Sequence, residues 1–186
     1  MVWILVTTAF LMVFGGIFLV LPSKRERRIG RMRIDARKSG LITQGIVISD
    51  ISAPAMERVT AGGKIRTPKV QCIAWERRYS DEFAAMPIWT LYASSNGNGP
   101  IEGFIFEPSL SETRLKHQEE YWKRVAKAID QLPADIVAVR SSRNGASWIG
   151  REQLDSTPDA FVEQMLTGLQ ELMEANIEIE KEMLDR

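Results

Sequence analysis

The run "VWILVTTAFLMVFGGIFLVL", Val2 to Leu21, carries no charged side chain, and after a single proline the chain becomes densely basic. At a rise of about 1.5 Å per residue, a helix of this length matches a hydrocarbon core about 30 Å thick. Gly15 and Gly16 weaken a helix in water but are tolerated in lipid, where backbone hydrogen bonds have no aqueous competitor. A cleaved signal peptide would carry its charge ahead of a shorter apolar region and end at a small-residue site. Here the charge follows the run, and "LVLPSKRE" offers no such site. Residues 1–22 therefore read as a transmembrane anchor.

The basic flank sets a direction. Residues 24–38 hold Lys24, Arg25, Arg27, Arg28, Arg31, Arg33, Arg37 and Lys38 against only Glu26 and Asp35. Lys and Arg beside a span remain cytoplasmic. The expectation is a bacterial inner (cytoplasmic) membrane protein with its N-terminus out and its larger part in the cytoplasm. Lys24, Arg25, Arg27, Arg28, Arg31 and Arg33 are the candidate topology and membrane-surface residues, and each contributes about 1 kcal/mol near an anionic leaflet.

Residues 23–39 also read as a helix. Ser23 is an N-cap candidate with Glu26 three residues on, and Gly40 is a C-terminal stop. Ile29, Met32 and Ala36 form one stripe, which suits either lipid head groups or docking on the following domain. The plan of one span, a basic helix after a proline and a β-containing domain resembles the YajC accessory subunit of the bacterial Sec translocon over residues 1–45. The much larger folded domain of this chain departs from that pattern.

Residues 40–156 suggest an α+β domain with a mainly antiparallel sheet of five or six strands and two long helices, counting the terminal one. Strand patterns cover "LITQGIVISDI" (41–51), "KVQCIAWERRYS" (69–80), "PIWTLYAS" (87–94) and "IEGFIFE" (101–107), which in sequence form a meander. "SNGNGP" between the last two is a hairpin signal, because Asn and Gly both accept positive φ. A helix from Ser109, capped by Glu112 and striped by Leu115, Trp122, Val125, Ile129 and Leu132, stops at Pro133. "ADIVAVR" and "ASWIG" follow as strands around a second Asn-Gly turn. The strands are apolar on both sides: Val70 and Cys72 oppose Ile73 and Trp75, Ile88 and Tyr92 oppose Trp89 and Leu91, and Ile105 opposes Phe104 and Phe106. Such a sheet needs two covers. One helix per face would supply them. If both helices share a face, Trp75, Trp89, Phe104 and Phe106 become a candidate partner surface.

Residues 157–186 read as a terminal amphipathic helix with Thr157 as N-cap and Pro158 at its first position. Val162, Met165, Leu169, Leu172, Asn176 and Ile179 are spaced like a heptad seam, a candidate for self-association with Asn176 fixing register. The competing reading is an ordinary amphipathic helix packed on the sheet for its first half and frayed afterwards.

Chemistry is sparse. Cys72 is the sole cysteine and His117 the sole histidine, so neither a disulfide nor a histidine-rich metal site can form within the chain. Cys72 lies in an apolar strand, as a packing thiol would. The loop "AGGKIRTP" lacks phosphate-loop spacing and leads into a strand, and "AWERRYS" reads as an exposed strand end. No catalytic, metal or cofactor residues stand out, and no nucleic-acid partner is expected. The sequence points to a membrane-tethered, non-catalytic interaction or scaffold domain that assembles with itself or with another membrane complex. A tethered ligand-binding sensor is the alternative, and an enzyme of unrecognised type the second.

Overall fold

A computed structural model describes residues 2–4, 6–8, 10–12, 22–81, 86–107, 118–152 and 157–185. Most of the expected span lies outside these residues; the described parts of it are helical. Among the described residues no helix is long and apolar enough to cross a membrane. The Ser109 cap, Leu115 and His117 also lie outside them.

The rest is α+β. Helix α1 spans Lys24–Lys38 and leads into strand β1, Leu41–Ser49. An arm with a short 3-10 turn at Ala55–Arg58 then connects to β2, Lys69–Arg78. Next come β3 (Trp89–Asn98), β4 (Glu102–Phe106), α2 (Glu119–Asp130), β5 (Ile136–Ser142), β6 (Gly145–Gly150) and α3 (Pro158–Leu184). All six strands form one antiparallel sheet in the order β1-β2-β6-β5-β3-β4.

That order corrects the meander. β2 does not pair with β3, because the β5–β6 hairpin inserts between them. In the inserted strands Trp148 pairs with Trp75 and Val139 with Leu91. The hairpin thereby completes one continuous apolar surface that the two earlier hairpins could not make alone.

Local signals behave as their chemistry requires. Ser23 Oγ accepts from the Glu26 N–H, and Glu26 accepts from the Ser23 N–H at 2.6 Å, a complete capping box. Thr157 caps α3 by accepting from the Ala160 N–H, with Pro158 at the first position. The glycines of "SNGNGP" serve a different purpose from the expected positive φ. A Cβ on Gly97 or Gly99 would collide with the Phe104 backbone, and neither has positive φ. Close approach of the two strands is what demands glycine there.

The helices do not divide between the faces. Met32 and Ala36 of α1, Trp122 and Val125 of α2, and Phe161 to Ile179 of α3 share one core with Trp75, Trp89, Leu91 and Trp148. Every labelled helix therefore covers the same side of the sheet. Edge-to-face aromatic contacts fill that core, with ring centroids 5.5 Å apart for Trp89–Trp122 and 5.3 Å for Trp75–Phe161. Gly168 lets α3 approach α2, because a Cβ there would strike Leu132.

One polar knot sits inside this apolar layer. Trp89 Nε1–H donates to Tyr121 Oη at 2.7 Å, and Tyr121 donates to Asn176 Oδ1 at 2.6 Å. Asn176 Nδ2 donates to Tyr79 Oη at 2.9 Å and Ser141 Oγ at 3.0 Å, while Ser141 Oγ donates to the Pro87 carbonyl. Burial pushes the phenols of Tyr79 and Tyr121 above their ordinary pKa, so both stay protonated. Asn176→Ala leaves three hydroxyls short of a buried partner. Urea unfolding of this variant should show a loss of about 1–3 kcal/mol.

Candidate functional site

The outer side of α1 and the sheet face opposite the helices both lie outside the aromatic core. On α1, Met32 and Ala36 are fully buried against the domain, so the helix docks instead of projecting freely. Arg27, Arg31, Ile34 and Lys38 recur at four, three and four residues, on the opposite side. All four are exposed, Ile34 by 54%. Lys24 and Arg25 are exposed as well, whereas Arg28 is half-buried.

Arg33 plays another part. Its Nε and Nη2 donate to the two carboxylate oxygens of Glu152 at 2.9 and 2.5 Å, a bidentate pair whose glutamate side chain is 5% exposed. This pair pins α1 to the segment between β6 and α3. The Glu152 partner raises the Arg33 pKa and keeps the guanidinium charged. Of the six candidate membrane-surface residues, Arg33 is thus drawn into the fold.

The residues named for self-association and partner binding are also placed inside. Val162, Met165, Leu169, Leu172, Asn176 and Ile179 are buried on the sheet, while the final turn, 181–184, is not. The seam is used within the chain, because the single-sided helix layer needs α3 to span its length. Trp75 and Trp89 are fully buried, and Phe104 and Phe106 pack half-buried on the same core. All four face the helix layer, and Trp75 and Trp89 are closed off by it.

The second sheet face has its own small cluster of Ile48, Cys72, Tyr92, Ala138 and Ile149. The arm from Ile51 to Pro68 folds towards it, with Ile51 packed on the cluster. Between arm and sheet lies a cleft of about 390 Å³ lined by Asp50, Arg58, Arg66, Tyr92 and Glu107, with Ile51 and Ile65 as apolar walls. Arg58 donates to the Ile51 and Ala53 carbonyls, and Arg66 donates to the Glu57 carbonyl at 2.8 Å. Asp50 accepts from the Ser52 N–H and hydroxyl. These side chains hold the arm's own backbone in shape while leaving charge at the cleft. Burial, then the nearby Glu107 carboxylate, raises the Tyr92 phenol above its ordinary pKa.

Sequence reasoning missed this cleft. Its residues come from the stretch Ser49 to Pro68, from Tyr92 in β3 and from Glu107 just after β4, and none belongs to a motif with recognisable spacing. Among the described residues no group of three His, Cys, Asp or Glu is arranged to hold a metal ion. No family model, no curated protein and no solved structure matches the chain.

Cys72 closes the floor of the second face. Its thiol is 2% exposed, and burial, the largest cause, raises its pKa. The thiolate is the reacting species, so Cys72 should resist maleimides at pH 7 in the native protein and react at once in denaturant. Rapid labelling of native protein, followed by mass spectrometry, would contradict this packing.

Proposed function

We propose that the chain is a single-pass inner-membrane protein whose α+β domain lies in the cytoplasm as a non-catalytic interaction or scaffold module of a bacterial membrane complex. The observation that carries this reading is the junction at Pro22. An uncharged run from Val2 to Leu21 meets a capped helix that buries Met32 and Ala36 but leaves Arg27, Arg31, Ile34 and Lys38 outside. A docked helix with a basic, partly apolar outer face sits well at an anionic head-group layer, where each cation adds about 1 kcal/mol. The domain is thereby held at the surface in a fixed orientation, and the flank retains it on the cytoplasmic side.

The cleft beneath the arm supports a second reading, a tethered sensor for a small ligand. Its volume of about 390 Å³ and its few charged groups among apolar walls fall within the range of ligand sites. A metabolite that raises the melting temperature of the wild type, but not of Tyr92→Ala, would favour this reading.

The anchor is tested on the full chain. It should sediment with membranes, resist alkaline carbonate and dissolve in detergent. A reporter behind Arg186 should be active only in the cytoplasm, and glutamine at Lys24, Arg25, Arg27 and Arg28 should move a measurable fraction of it across. Recovery in the soluble fraction, or a reporter active only outside, would refute the proposal.

A further inference from the structure

Strand β1 lies at one edge of the sheet and, among the described residues, pairs only with β2. Its pairing phase can be read from the hydrogen bond at its end, where the Asp50 N–H donates to the Pro68 carbonyl at 2.8 Å. The register continues as Ile48 with Val70, Ile46 with Cys72 and Gln44 with Ala74. In an antiparallel ladder, hydrogen-bonded pairs alternate with non-bonded ones. The even-numbered residues of β1 therefore bond to β2. Leu41, Thr43, Gly45, Val47 and Ser49 turn their N–H and C=O groups towards the outer edge.

Such an edge is normally guarded by a proline, a charge, a bulge or a short length. β1 has none of these. "LITQGIVIS" contains no charged residue and no proline, and its register with β2 is unbroken over all nine residues. Val47 is 62% exposed and Ile42 lies at the rim of the other face. Gly45, at the centre of the strand, has no reason for being glycine among the described residues. Its φ is not positive, and a Cβ there would meet nothing within 4 Å. An interior strand glycine with no bulge or bend to require it is suited to close approach by another backbone or a ligand.

We propose that β1 is a self-association edge, pairing antiparallel with β1 of a second copy about a two-fold axis at Gly45. In that register Leu41 faces Ser49, Ile42 faces Ile48, Thr43 faces Val47 and Gln44 faces Ile46. Every outward-facing amide and carbonyl gains a partner, and no two like charges meet. Exposed Val47 covers Thr43 of the other copy, and two sheets become one. A two-fold pair is isologous, so the uncharged, self-matching strand suits a second copy of this chain better than an unrelated partner bearing its own charges. Shared confinement to a membrane raises the effective concentration of the two edges. This names the surface and the occupant for the assembly role proposed above and rests on that reading for its setting.

The test uses the full chain in native membranes under mild oxidation, with the wild type, whose Cys72 is buried, as the blank. In the proposed register the two Gly45 Cα atoms are about 5.5 Å apart, within disulfide range. Gly45→Cys should give a linked dimer. Thr43→Cys and Val47→Cys alone should each link about tenfold less, because their own copies lie several residues away. The two expressed together should link to each other. Val47→Pro removes only an outward-facing donor, and Val47→Lys adds a guarding charge. Either should shift detergent-purified protein from dimer to monomer by light scattering, with its circular dichroism unchanged. Equal linking at all three positions, no linking at 45, or linking only to a different protein would each overturn the strand pair. If the chain still fractionates with membranes in those cases, the anchor survives and only the edge is wrong.

Discussion

One side-chain amide holds the helix layer in register with the sheet. Asn176 joins α3 to α2 through Tyr121, to the end of β2 through Tyr79, and to β5 through Ser141. Tyr121 carries the chain of bonds on to Trp89 of β3. Apolar contacts alone would allow α3 to slide along a surface of Trp, Leu and Met at modest cost. A buried network with every member paired does not, since any slip strands several polar groups without water. Burial keeps both phenols protonated, so the network does not change with pH in the neutral range.

Because all three labelled helices are spent on one face, the two sides of the sheet differ in character. One is a thick aromatic core. The other is a thin cluster that the arm from Ile51 to Pro68 approaches, with a cleft between arm and sheet. The Arg33–Glu152 pair fixes α1 as the outer member of the helix layer, so the basic stripe of α1 and the edge of β1 are held in one rigid arrangement. A domain built this way presents its charge, its cleft and its open strand in defined directions.

Much of the local structure was legible. Ser23 with Glu26 and Thr157 with Pro158 announce helix starts because capping needs only residues within one turn. The two-sided apolar character of the strands was also visible, since side-chain alternation is a property of each strand alone. The seam on α3 was correctly located as apolar, but its spacing is the same whether a helix packs on its own sheet or on another chain. Asn176 gave no sign of its partners, which lie as far away as Tyr79. The cleft was invisible for the same reason, as Asp50, Tyr92 and Glu107 meet only once the sheet has formed.

The sequence by itself determined the greasy run, the basic collar, the helix starts at Ser23 and Thr157, and the absence of a second cysteine or histidine. Those are properties of nearest neighbours and of composition, and they hold before any folding. Tertiary structure alone decided that the β5–β6 hairpin enters between β2 and β3, that every labelled helix covers one face, and that β1 is left at the edge. These choices depend on which distant apolar surfaces fit together best, and that competition is settled by packing of the whole chain.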